Sequence, residues 1–236
     1  MINKDRLKNI CADIGVELDA QALERFELFA SMLVEKNKVL NLTAITDPEG
    51  IAVKHFADSL TALRMIDLQP GTKVIDVGTG GGFPGIPLLI ARPEIKLTML
   101  DSTGKKLAFV SQSVEELGLS ANIVHGRAEE AGQGELRESF DFAVSREVAA
   151  MNILCEYCLP FVKVGGTFCA MKGAKGSEEL DCAGKAIVTL GGETQKTETL
   201  ILPDGGERVL INVKKISHTA TKYPRPSAQI SKKPLV

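Results

Sequence analysis

The stretch from Val74 to Gly85 reads V-I-D-V-G-T-G-G-G-F-P-G, and five of the eight residues from Gly78 onward are glycine. An apolar run ends just past Asp76, a glycine-dense turn follows, and Pro84 is suited to open a helix. Glycine permits positive φ and lets a ligand approach the backbone without meeting a Cβ. A strand that turns this sharply into a helix belongs to a parallel α/β sheet, with a ligand pocket beyond the strand's carboxyl end.

Two frames fit the block. Gly80 to Gly85 matches G-x-G-x-x-G, the dinucleotide fingerprint, which sets a pyrophosphate on a helix N-terminus. Asp76-x-Gly78-x-Gly80-x-Gly82 instead places a carboxylate before the turn. That suits S-adenosylmethionine, which has no phosphate but carries an ammonium and a ribose diol. Asp76 is expected to meet the ammonium. Asp101 ends the next apolar run, Lys96 to Asp101, and is expected to meet the ribose. An acid on the ribose occurs in NAD sites as well, so Asp76 discriminates and Asp101 does not. About seventy residues precede the block, which also favours the S-adenosylmethionine frame.

Beyond the block, strands are suggested at 72–77, 96–101, 122–126, 140–145 and 166–171. Helices are suggested at 84–92, 103–117, 147–159 and 177–190, and such alternation gives a parallel sheet covered on both faces. Residues 197–202 and 208–216 flank Pro203-Asp204-Gly205-Gly206 and read as a hairpin. The expected fold is therefore α/β, a seven-stranded, Rossmann-like S-adenosylmethionine-dependent methyltransferase sheet. Upstream, Leu23, Phe26, Ala30 and Leu33 follow helical spacing, and Asp47-Pro48 starts another helix running to about Ile66. The chain divides into a helical N-terminal extension (1–69), a methyltransferase core (70–216) and a basic C-terminal tail (217–236).

With 236 residues, 44% hydrophobic and 25% charged, the chain has the composition of an ordinary water-soluble domain. A net charge of −2 argues against a general nucleic-acid binder. From Lys214 onward, however, there are basic residues and no acid. That tail reads either as a handle on phosphate or as a solvated terminus. No apolar run is long enough to span a bilayer and no secretory h-region is visible, so a cytoplasmic protein, a monomer by default, is expected. The five cysteines read as thiols in a reducing compartment. Cys155-x-x-Cys158 lacks a second ligand pair, and no metal site is expected.

The fourth strand end carries Val144-Ser145-Arg146-Glu147. Methylation of exocyclic amines is associated with Asn/Asp-Pro-Pro-aromatic here, and cytosine-C5 methylation with a Pro-Cys pair; this chain has neither. A guanidinium cannot serve as a general base near neutral pH. The acceptor is therefore expected to need no deprotonation, as with the in-plane lone pair of guanine N7. Arg146 then positions the cofactor carboxylate, the guanine O6 or a phosphate, with a salt bridge to a helix acid as its plain structural alternative. His55 and Asp58 share a helix face. They read more readily as a satisfied interhelix hydrogen bond than as part of the site.

Several pieces occur together in order: Asn41-Leu42-Thr43, His55-x-x-Asp58-Ser59, Asp76 to Pro87, Leu100-Asp101-Ser102, Gly126 to Glu130, Ser145-Arg146 and Met171-Lys172-Gly173. As a set they resemble the bacterial small-subunit ribosomal RNA guanine-N7 methyltransferases (RsmG, formerly GidB). The tail, with Lys222 to Pro226 and Lys232 to Leu235, is similar to the longer C-terminus of Gram-positive members. The resemblance implies cofactor contacts at Gly78, Phe83, Ala128, Glu129 and Arg146, beside Asp76, Gly80, Gly82, Asp101 and Ser102 of the strand ends. It implies a substrate guanine in 16S ribosomal RNA or the small subunit, in the hairpin near the decoding site. Arg127, Lys172, Lys222 and Arg225 are the residues expected to face RNA. Gly81 stands where many members have Pro, and Glu147 stands beside Arg146 where Ala is common. Two other readings remain open, a nucleotide-binding redox protein and a non-catalytic ribosome-assembly factor.

Overall fold

Seven strands form in the computed structural model, which describes residues 1–236: β1 (Lys73–Val77), β2 (Lys96–Asp101), β3 (Asn122–His125), β4 (Phe140–Arg146), β5 (Val162–Lys172), β6 (Gly192–Ile201) and β7 (Glu207–Lys215). They make one sheet in the order β3-β2-β1-β4-β5-β7-β6. The first five are parallel, and β7 runs antiparallel between β5 and β6. Strand order reverses between β1 and β4, so a crevice opens at their carboxyl ends.

The helices are α1 (Lys4–Asp13), α2 (Ala20–Leu40), α3 (residues 48–64), α4 (Gly85–Ala91), α5 (Gly104–Glu116), α6 (Ala128–Ala131), α7 (Met151–Cys158), α8 (Gly176–Asp181), α9 (Gly184–Thr189) and α10 (Ser227–Lys232). Asp19 caps α2 by accepting from the Ala22 amide at 2.7 Å, and Asp47 caps α3 through the Gly50 amide at 2.7 Å. Each such cap stabilises its helix by about 1 kcal/mol. The middle of α3, Ile51–Ala57, is a π-helix, a wider coil than the 3.6-residue spacing suggested.

The sheet is buried on both faces. On one, Leu7, Phe26, Phe29 and Phe56 of the N-terminal helices join Val74, Leu97 and Val144 in a single apolar cluster. Residues 1–69 therefore share a core with the sheet. On the other face, Ile75, Phe168 and Ile211 pack with α7, α9 and Tyr223 of the C-terminal segment.

Several boundaries differ from the sequence reading. β6 begins at Gly192 rather than 197, because its first half is an exposed edge with polar residues on both sides and no alternation to read. The helix expected at 147–159 starts only at Met151, since Glu147 adopts φ +55° and the chain loops before turning. The helix expected at 177–190 breaks into α8 and α9. The segments α1 and α10 were not anticipated.

Candidate cofactor cleft and guanidinium cluster

The turn after β1 is held from below by Asp76. The carboxylate is fully buried, and its Oδ2 accepts from the Thr79 hydroxyl at 2.6 Å and the Gly85 amide at 2.9 Å. Oδ1 has no partner. Burial pushes the Asp76 carboxyl up to about 7, against the pull of its two hydrogen bonds and of Arg146. A buried acceptor without a donor is costly, and a ligand ammonium would satisfy it.

Asp101 ends β2 and stays half-buried. Its Oδ2 accepts from the Gly80 amide at 2.9 Å and its Oδ1 from the Thr103 amide at 2.8 Å. One carboxylate thus ties the glycine turn of β1 to the turn of β2. Gly78 has φ +78°, and a Cβ there would lie 2.6 Å from Val148. The turn therefore needs glycine for both conformation and space.

These turns enclose a cavity of about 340 Å³ whose walls include Gly78, Gly80, Asp101, Ser102, Ala128 and Glu129, with Arg127 at its rim. The volume lies in the range of small-molecule sites. Six of the expected cofactor residues meet there. Asp76, Gly82, Phe83 and Arg146 do not line it. Sequence reasoning missed Lys106, Val148, Tyr157 and Ser227, which also line it. These come from helices and loops without a motif, and Ser227 is over a hundred residues from the glycine block. A hollow of about 420 Å³ lies at the opposite edge, near Lys73 and Lys96, away from the strand ends that carry the chemistry.

Beside the cleft, on the face shared with Asp76, sits a cluster around Arg146. Its Nη1 donates to Asp58 Oδ2 at 3.1 Å and to the Lys54 carbonyl at 3.0 Å. Its guanidinium stands over the Phe83 ring at 5.0 Å, and His55 stacks on the same ring at 4.5 Å. Asp58 Oδ1 accepts from Arg208 Nε at 2.9 Å, so one carboxylate bridges two guanidinium groups. Burial holds His55 down to about 3, helped by the charge of Arg146. The imidazole is therefore neutral. Arg146 Nη2 faces Nδ1 at 3.2 Å and can only donate, so Nδ1 accepts and the proton resides on Nε2, facing the Thr43 hydroxyl at 2.7 Å. The His55–Asp58 pair is thus satisfied, as the sequence favoured, but by a residue of the fourth strand end. The salt bridge weighed for Arg146 exists, with Asp58 as its partner; Glu147 is exposed.

Two residues expected to face RNA do not. Lys172 is buried and donates to the Ala149 carbonyl at 2.8 Å while pairing with Glu179 at 3.0 Å. Its charge is used to hold the 147–150 loop and α8. Arg225 is engaged by the fully buried Glu156 through Nε at 2.8 Å and Nη2 at 2.6 Å. Arg127 and Lys222 are exposed.

A family model described as rRNA small subunit methyltransferase G (GidB) matches residues 22–208. The chain belongs to this family. Among its relatives, a ribosomal RNA small subunit methyltransferase G of Alkaliphilus metalliredigens is 45% identical over 238 residues, covering 100% of both chains. One of Brevibacillus brevis is 44% identical with the same coverage. Solved structures are more distant. TrmN from Thermus thermophilus superposes with a TM-score of 0.54 at 16% identity, over 70% of this chain and 53% of that one. M. jannaschii TYW2 in complex with AdoMet gives 0.51 at 14% identity, over 63% and 71%. The cyclase SpnF gives 0.53 at 15%, over 68% and 82%. These likenesses establish the methyltransferase-like fold; a cyclase among them shows that the fold alone does not fix the reaction. The family makes the chain a methyltransferase.

Proposed function

We propose that this chain transfers the methyl group of S-adenosylmethionine to N7 of a guanine in 16S ribosomal RNA, in the hairpin near the decoding site, and acts in the cytoplasm. The family supports the reaction class and the RNA; the site supports the atom. The observation that carries the choice of atom is the state of the guanidinium cluster. Removing a proton from an amine would call for a free carboxylate or imidazole beside the transferred group. Both oxygens of Asp58 and both nitrogens of His55 are committed. An acceptor that already has a lone pair needs no base.

The residues present fit the cofactor. Asp101 suits the ribose diol and the backbone of Gly78 leaves room for close approach; the unpaired Oδ1 of Asp76, buried behind the glycine turn and outside the cavity wall, meets the ammonium through a shift of that turn. When bound, the cofactor supplies a sulfonium-activated methyl group. The protein's own contribution is position. Phe83 is clamped between the cluster and the core, and orientation of this kind can supply up to about 7–11 kcal/mol of a barrier. Arg146, its charge shared with Asp58, fixes Phe83 and the β4 end. Arg127 and Lys222 are the exposed cations left to meet RNA.

The deciding experiment incubates the protein with S-adenosylmethionine and small-subunit RNA, free and in subunits, and maps N7-methylguanine. Methylation at one guanine of the decoding-region hairpin is expected. Label transfer to an exocyclic amine or to a C5 carbon would overturn the reading. Preferential binding of NADH would favour the redox alternative, and binding without any transfer the assembly factor.

A further inference from the structure

The C-terminal segment, read as a basic tail, is built into the protein. Arg137 donates to the carbonyls of Thr219 at 2.6 Å and Tyr223 at 2.8 Å. Gln133 Nε2 donates to those of Thr221 at 3.1 Å and Pro224 at 3.0 Å. Arg225 forks onto the buried Glu156, and both Tyr223 and Ile230 are buried. Side chains of the core thus satisfy carbonyls that a free tail would leave to water. The consequence is positional. Ser227 lines the cofactor cavity together with Tyr157 and the β3-turn residues Ala128 and Glu129. A second hollow, of about 590 Å³, continues from there between the segment and α6; Arg127, Glu129 and Ser227 line both.

We propose that residues 223–230 are a fixed wall of the cofactor pocket on the side that takes the adenosine base, so that Ser227 and its anchors set cofactor affinity and leave RNA affinity to Arg127 and Lys222. The inference rests on the S-adenosylmethionine reading above. The ribose acid Asp101 ends β2, and the base, one step beyond the ribose, falls toward the β3 turn at Ala128 and Glu129, where Ser227 closes the pocket. Lys222, exposed and resting on the Tyr223 ring at 5.2 Å, lines the second hollow and not the cofactor cavity.

The test uses the full chain, with S-adenosylhomocysteine as the calorimetric probe. Ser227→Phe keeps every anchor of the segment but crowds the pocket, and about a tenfold weaker dissociation constant is expected. Ligand-free melting and affinity for small-subunit RNA should stay near wild type. Arg225→Gln loosens the wall from outside the pocket, and should also weaken the probe while raising hydrogen exchange at 223–230. Probe affinity within about twofold of wild type in both variants overturns the inference. So does loss of RNA affinity with probe affinity intact. A wild-type chain that fails to bind the probe would instead overturn the cofactor assignment itself.

Discussion

At the scale of single residues, the site depends on groups whose ordinary chemistry is suppressed. Arg146 is not a free cation; its charge is shared with Asp58, which also holds Arg208. Removing one member of a buried pair leaves the other uncompensated, at a cost of several kcal/mol. Arg146→Ala should lose most methyl transfer and, because Arg208 still partners Asp58, about 3 kcal/mol of stability. Adding Asp58→Asn would strip Arg208 of its partner as well, so it should cost further stability and return none of the activity. Urea unfolding and single-turnover transfer read the two separately, and near-normal transfer in Arg146→Ala would sink its role. Asp76 carries a second prediction. Its carboxyl, raised to about 7, is largely protonated at pH 6 in the free protein. An ammonium beside Oδ1 favours the carboxylate, so cofactor binding at pH 6 should expel a proton. Calorimetry in buffers of different ionisation enthalpy should detect that release, and Asp76→Asn should abolish it. Buffer-independent heats in the wild type would remove Asp76 from the ammonium site.

At the scale of elements, the glycine turn is a device of shape. Gly78→Ala would force a Cβ into Val148 at positive φ. Such strain costs about 1–3 kcal/mol, and moving Val148 disturbs a wall of the cleft. Equilibrium binding should show a marked loss of S-adenosylmethionine affinity in a chain that still folds; unchanged affinity would mean that the turn tolerates the methyl. This element was plain in the sequence because glycine reports its own conformation. So were the strand ends, because buried parallel strands read as apolar runs closed by a polar residue. The π-helix in α3 was not, since its residues satisfy an α-helical pattern equally well. Nor could spacing show that Lys172 and Arg225 turn inward: a basic side chain looks alike in sequence whether it meets phosphate or a buried carboxylate. Tyr157 reaches the cleft from α7 itself, and Ser227 reaches it only because the C-terminal segment folds back over α7, a long-range event that leaves no local signature.

At the scale of the whole molecule, stability at high pH reflects two opposing sets of buried groups. The thiols of Cys11, Cys155, Cys158 and Cys169 are pushed up by burial. The folded state keeps their protons above pH 9 while the unfolded chain loses them, so stability falls as pH rises from there. Lys215 acts in the opposite sense. Burial lowers it from 10.5 to about 8, although Glu138 pulls it back up. Between those values the unfolded chain binds the extra proton, so this group's contribution improves as pH rises. Lys215→Met should therefore steepen the alkaline loss of stability measured by urea unfolding between pH 8 and 10. An unchanged slope would mean that Lys215 keeps its proton in the fold.

The order of strands has a consequence for how the protein is made. β7 is the last strand to leave the ribosome, yet it lies inside the sheet, between β5 and β6. Until it arrives, β5 presents an open, apolar edge through Phe168, Ala170 and Met171, and such an edge invites pairing with other chains. That edge closes only after Glu207–Lys215 have been made, and the segment that then walls the cleft is translated later still. A chain that halts early is left not with a weaker copy of the enzyme but with an adhesive half-sheet and an unfinished pocket.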